Sequence, residues 1–152
     1  MISHNNYILC WLATVNDDLL PNVSPKEMFL YDGITNFYIA NIASPNSERN
    51  IQLNSKVCVC ILDIFRQVGL QMKGVATVFK PDSIVYQKKV IDFHHKFGKR
   101  FYIKSIIHID IDSTKEIVAP SYQFCPQTTS YDMIEDALKS YRIKDLIAAY
   151  NI

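Results

Sequence analysis

The chain has 152 residues, a length that favours one domain with a sizeable core. Apolar residues make up 49% and charged residues 20%, an ordinary globular mix, and the net charge of +1 gives no strong electrostatic case for nucleic acid or acidic membranes. The apolar start, Tyr7 to Val15, lacks a basic lead-in and is too short to span a bilayer, so no membrane span or signal peptide is read and the cytoplasm is the expected location.

Met1 to Asn6 is polar and expected to be loose. Leu12 to Lys26, LATVNDDLLPNVSPK, reads as two strands joined by a tight polar turn. Ala13, Thr14 and Val15 suit a half-buried strand, and Asn16-Asp17-Asp18 is turn chemistry. Pro21 allows only an edge or first-residue place in the second strand. Asn22, Ser24 and Lys26 are spaced by two and share one strand face. That face is either a ligand wall or a solvent-facing surface.

Asp32-Gly33 signals a turn, and Asn36 to Ala40 a short strand. Asn41 to Asn46 reads as loop. Ser47 to Leu53 reads as a short helix capped by Asn46 or Ser47. Val57 to Leu62, VCVCIL, is apolar throughout and predicts a strand covered on both faces, with Cys58 and Cys60 buried as small hydrophobes. Leu70 to Phe79 is a longer strand with Gln71 and Lys73 on one face. Its Gly74 allows another backbone or a ligand to come close.

A helix opens at Pro81-Asp82 with Asp82 as cap, runs to about His95 and stops at Gly98. Its Tyr86, Val90, Phe93 and Phe97 follow helical spacing. Tyr102 to Val118 is a strand region with Ile107, Ile109 and Ile111 facing one way and His108, Asp110 and Asp112 the other. Pro120 to Gln127 is irregular. Thr129 to Tyr141 is an amphipathic helix with a capping-box spacing between Thr129 and Asp132, followed by a last helical piece over Lys144 to Tyr150. This order predicts a mainly β domain with peripheral helices (α+β), a small barrel or sandwich spanning 1–152 with a helical C-terminal segment at about 129–150.

Chemistry-bearing residues are few. Ser47 and Arg49 sit near a helix N-terminus, where unpaired N–H groups and the dipole favour phosphate. A capped surface helix with a solvated Arg is the plainer reading. Gln71 and Lys73 can reach a ligand over the sheet or simply point to water. His108 and Asp110 could pair as base and orienter, but a solvated strand face is the commoner outcome. His94 and His95 diverge around a helix, and the four cysteines (10, 58, 60 and 125) form no CxxC pair, so no metal site is read. The basic run Lys96, Lys99, Arg100 and Lys104 could touch RNA or be a plain surface cluster.

Four stretches together resemble the FMN-binding split-barrel family related to pyridoxamine 5'-phosphate oxidase. They are LATVNDDLLPNVSPK, FYIAN at 37–41, SPNSERNIQLNSKVCV at 44–59 and GLQMKGVATV at 69–78. The resemblance implies a six-stranded antiparallel split barrel that forms homodimers, with FMN in clefts between the subunits. It places Asn22, Val23, Ser24 and Lys26, and the backbone of Ile39, Ala40 and Asn41, beside the flavin ring and ribityl chain. Ser47, Arg49 and Asn50 would hold the phosphate, and Gln71 and Lys73 would reach the flavin.

Three departures stand out. The Arg-x-His element near the C-terminus of the vitamin B6 oxidase is missing from the tail at Tyr141 to Asp145. The usual turn glycine is replaced in Asp18-Leu19, and the usual proline after the phosphate helix is Ser55. The expected function is an FMN-dependent oxidoreductase other than the B6 oxidase, with no general acid or base named. The alternatives are a flavin-binding carrier or sensor without turnover, a different cofactor or haem in the same cleft, and an RNA-binding barrel.

Overall fold

The computed structural model describes residues 7–150. The polar lead Met1 to Asn6 lies outside them. In chain order the elements are β1 (Cys10–Val15), β2 (Pro21–Lys26), β3 (Phe29–Tyr31), β4 (Asn36–Asn41), α1 (Pro45–Leu53), β5 (Lys56–Asp63), β6 (Val68–Phe79), α2 (Ile84–Phe97), β7 (Ser105–Val118), α3 (Pro120–Phe124), α4 (Ser130–Ser140) and α5 (Ile143–Tyr150). All strand pairs are antiparallel, in the order β2-β1-β5-β6-β7-β4-β3. The sheet curls into a half-barrel of seven strands rather than the six expected; the extra one is the three-residue β3, too short for a sequence pattern. No described helix is long and apolar enough to cross a membrane.

Alternation along each strand sorts the side chains to two faces. Leu12, Phe37, Ile39, Val59, Ile61, Met72, Ile107 and Ile109 point inward and are completely or almost completely buried. Each contributes roughly 1.5–3 kcal/mol on leaving water. A second apolar cluster lies on the outer face at one end of the sheet. There Tyr86 and Phe93 of α2 cover Ala40, Ile103 and Ile106, with Phe79 packed beside them. Among the described residues no such cover lies over β1, β5 and the first half of β6. Trp11, Leu62 and Val75 stay exposed on that outer face, and Cys58 and Cys60 are only half-buried. The expectation that β5 is covered on both faces, with buried cysteines, is therefore corrected for the single chain.

Local details follow from side-chain chemistry. Pro21 takes the first residue of an edge strand, where its missing N–H is not needed. Gly74 admits the backbone of β7: a Cβ there would lie 2.0 Å from the Asp110 carbonyl oxygen. Helix α1 starts earlier than expected, at Pro45, with Ser44 as N-cap. Proline suits the first helical position because its φ is preset and no N–H bond is lost. Helix α2 is capped by Ser83, whose hydroxyl accepts from Tyr86 N–H at 3.1 Å, not by Asp82. The capping box of Thr129 and Asp132 forms as read, while Pro120 to Phe124 is a short helix rather than irregular chain.

The β1–β2 turn carries strain. Asn16 Oδ1 accepts the Leu20 N–H at 2.8 Å, and Leu19 is held at φ 62°. Left-handed backbone costs an L-residue roughly 1–2 kcal/mol. Glycine would remove that cost and give back part of it as unfolded-state entropy. Leu19→Gly is therefore expected to stabilise the protein by about 0.5–1 kcal/mol. An unchanged or lower midpoint in urea unfolding would contradict this.

Candidate functional site

The β1–β2 hairpin turns Asn22, Ser24 and Lys26 inward, because they pair across the ladder with the buried Thr14, Leu12 and Cys10. They meet α1, whose Ser47 and Asn50 are buried on its inner side. Ser24 Oγ lies 3.0 Å from Ser47 Oγ. Asn50 Nδ2 donates to Thr14 Oγ1 at 3.0 Å, and Asn22 Nδ2 donates to the same oxygen at 3.4 Å. The solvent-facing reading of this strand face is thus wrong for Lys26, which is only 6% exposed.

Lys26 is the unusual member. Its ammonium donates to Ser24 Oγ at 2.5 Å and to the Pro25 carbonyl at 3.3 Å. No carboxylate pairs with it among the described residues. Burial pushes its pKa below the ordinary 10.5, and the neighbouring Cys10 pulls the other way. Buried cations normally find a counter-charge, since desolvation costs several kcal/mol otherwise. Cys10 cannot supply one at neutral pH, because burial pushes its thiol up to about 12.

A second polar network fixes the start of α1. Asn41 Oδ1 accepts the Ser44 N–H at 3.0 Å, and its Nδ2 donates to Glu48 Oε2 at 2.8 Å and Ser105 Oγ at 3.0 Å. Ser105 Oγ also donates to Glu48 Oε2 at 2.7 Å, and Lys80 pairs with Glu48 Oε1. These donors hold the Glu48 carboxylate below its ordinary pKa, although its partial burial acts in the opposite direction. Arg49 points out of the helix and is exposed. It borders two cavities. One, of about 290 Å³, is lined by Asn16, Asp17, Asn22, Asn46 and Asn50. The other, of about 340 Å³, is lined by Asn41, Ser44, Glu48, Lys80 and Lys104.

The structure brings some expected residues together and separates others. Asn22, Ser24, Lys26, Ser47 and Asn50 form one inward cluster with Arg49 at its rim. Ile39 and Ala40 are buried. Their backbone is engaged in the ladders to β3 and β7, with Ala40 N–H donating to the Met28 carbonyl at 3.0 Å. Gln71 and Lys73 lie on the outer face, opposite Cys60 and Cys58, and Val23 alternates to that same side. Within one chain the two expected walls face opposite ways. Thr14, Glu48, Lys80 and Ser105 escaped the sequence reading. The i,i+2 alternation could have placed Thr14 and Ser105 on inner faces, but nothing local marks the contacts of Glu48 and Lys80.

His108 is held by contacts within the sheet. Its Nε2 lies 2.9 Å from Asn36 Oδ1, its ring stacks on Tyr38 at 4.5 Å, and burial lowers its pKa.

A comparison with curated proteins finds no match. The fold matches solved structures of low identity. HupZ from Group A Streptococcus is 20% identical over 75% of this chain and 92% of that one, with a TM-score of 0.62. HutZ, the heme storage protein from Vibrio cholerae, is 17% identical over 74% of this chain and 87% of its own, with a TM-score of 0.61. An FMN-binding protein from Syntrophomonas wolfei is 15% identical over 75% and 80%, with a TM-score of 0.63. The family model described as pyridoxamine 5'-phosphate oxidase matches residues 5–118, three quarters of the sequence and every strand of the sheet. With that match and the antiparallel half-barrel, the chain belongs to the pyridoxamine 5'-phosphate oxidase family.

Proposed function

We propose that the protein is a homodimeric FMN-binding oxidoreductase whose substrate is not a B6 vitamer, with the whole chain acting as one domain. The observation that carries the reading is Lys26, a buried ammonium that no carboxylate among the described residues pairs with, bonded to a serine that meets α1. An anionic ligand would supply the missing counter-charge. Ser24, Ser47 and Asn50 add hydroxyl and amide groups suited to a ribityl chain, and Arg49 at the rim suits a phosphate. When bound, flavin supplies the redox chemistry; the protein orients it and sets the polarity around it.

The dimer is argued from the faces of the sheet. Gln71 and Lys73 cannot turn to the inner cluster of their own chain, because alternation fixes them outward. They can serve a cofactor only across an interface. Trp11, Val23 and Val75, 46%, 58% and 42% exposed, are apolar side chains on the same outer face that a partner would cover. A second reading, a flavin or haem carrier without turnover, is favoured by the lack of an acid–base pair near the inner cluster among the described residues. The likeness to a heme storage protein supports it too. Visible spectra of the purified protein, followed by release of the chromophore, separate FMN from haem. Steady-state assays with a nicotinamide donor then separate enzyme from carrier.

Arg49→Ala is expected to weaken FMN binding at least tenfold while leaving the melting temperature of the unliganded protein unchanged. Unaltered FMN affinity in a fluorescence titration would remove Arg49 from the phosphate site.

Lys26→Met should raise the stability of the unliganded protein at pH 7 by roughly 1 kcal/mol or more and abolish cofactor binding. The sign follows from linkage. The folded state holds its proton less tightly than the unfolded chain, so the penalty is fully present below the lowered pKa of Lys26 and is lost as pH rises toward 10.5. The advantage of the variant should shrink over that window. A variant less stable than wild type at pH 7 would contradict it.

Mixing Lys26→Met with a Gln71→Ala, Lys73→Ala double variant tests the shared cleft. Each alone should be empty. After subunit exchange about one quarter of sites should bind FMN, because half the dimers are mixed and each mixed dimer rebuilds one intact cleft. No recovery would mean that each cleft is built within one chain.

A further inference from the structure

We propose that the cavity between the β5–β6 turn and α4 binds a fatty carboxylate, with its alkyl chain along the apolar walls and its carboxylate on Arg66. The inference needs only one chain and does not rest on the flavin reading. It uses no residue of the inner cluster, and neither Gln71 nor Lys73.

The cavity has a volume of about 600 Å³, within the range of small-molecule sites. It is lined by Leu62, Ile64 and Phe65 from the end of β5 and the turn after it, by Ile134 and Leu138 of α4, and by the lead into β1 at Ile8. Among the described residues the charged side chains at it are Asp63 and Arg66. The aliphatic walls offer an alkyl chain contact along its length and no polar partner.

The walls are set without a ligand. Asp63 Oδ1 accepts the Phe65 and Arg66 N–H groups at 3.0 and 2.9 Å, and the Gln67 N–H closes the turn on the Asp63 carbonyl at 2.7 Å. Tyr122 of α3 donates its hydroxyl to the Arg66 carbonyl at 3.0 Å. Helix α4 is seated by its buried Met133 and Ala137, and Tyr141 after it meets the Phe65 ring edge-on at 6.3 Å. Ile134 and Leu138 are four residues apart and share the helix face that borders the cavity. A preformed site loses little binding free energy to ordering.

Charge selects the head group. Asp63 is committed: one oxygen holds two backbone N–H groups and the other faces Arg66. A cationic head group would have to compete with those bonds. The Arg66 guanidinium has the opposite balance. Its bond among the described residues runs from Nη1 to Asp63 Oδ2, is long at 3.4 Å, and leaves the side chain 42% exposed. A guanidinium carries five N–H donors in a fork that matches a carboxylate, so most of this one's capacity is open to a ligand.

The test is equilibrium dialysis of the purified protein against labelled decanoate, kept below its micelle concentration. Wild type should bind one equivalent per chain. Octanoate should bind roughly fifteenfold more weakly, since each methylene contributes roughly a factor of four. Decanol, the neutral analogue, should bind at least tenfold more weakly than decanoate. Arg66→Gln should lower decanoate to the affinity of decanol and leave decanol unchanged. Ile134→Trp, which fills the cavity, should abolish binding of both. Both variants should take up FMN as wild type does, so a failure here is distinguishable from a failure of the flavin reading. Wild type that retains no decanoate overturns the proposal. So does an Arg66→Gln protein that holds decanoate as tightly as wild type, or a folded Ile134→Trp protein that still binds it. A molecular mass that halves in sedimentation when decanoate is added also overturns it, because a second copy of the chain is then the occupant.

Discussion

A lysine ammonium placed inside the half-barrel without a carboxylate is the tension on which the site depends. Lys26 is inward because Cys10, its partner across the ladder, is inward, and because the alternation of β2 leaves it no other side. Among the described residues, neutral oxygens from Ser24 and Pro25 are all that satisfy it. Such oxygens stabilise a cation far less than a charge would in a medium of low dielectric. The fold tolerates the residue because a large apolar core compensates elsewhere.

That tension is localised by the way α1 is tied down. At its N-terminal side, Asn41 and Ser105 secure Glu48, and Lys80 completes the network. At its inner side, Ser47 and Asn50 bond the hairpin through Ser24 and Thr14. The helix is therefore fixed at two polar anchors and one apolar one, Ile51. Its exposed side, with Arg49, is left without intramolecular duties. Polar networks of this kind give one defined geometry when every member is satisfied.

The sheet itself is unequal on its two faces. The inner face carries the core, and α2 closes the outer face at β4 and β7. Over β1, β5 and the first half of β6 no described residue does the same, and that is where Trp11, Cys58, Cys60, Gln71 and Lys73 gather. A half-barrel whose chemistry-bearing residues divide between an inner cluster and an open outer face is incomplete as a single-chain pocket. This division underlies the dimer we propose.

Much of this was legible in the residues themselves. Period-two alternation marked the inward and outward sides of β6 and β7, because strand geometry alone dictates them. Pro21, Gly74 and the Thr129–Asp132 pair declared an edge strand, a close backbone approach and a capped helix through constraints local to a few residues. The order of the four family stretches gave the fold class. Helix α1 was misread at its start because Pro45 looked like a loop residue and is instead a first-turn residue. What only the tertiary structure decided is what lies across each face. No spacing rule shows that Ser24 meets Ser47, that Glu48 joins Asn41 to Lys80, or that Gln71 turns away from Lys26. Those contacts join residues 7 to 32 positions apart, and the curl of the whole sheet, not any local preference, sets which of them meet.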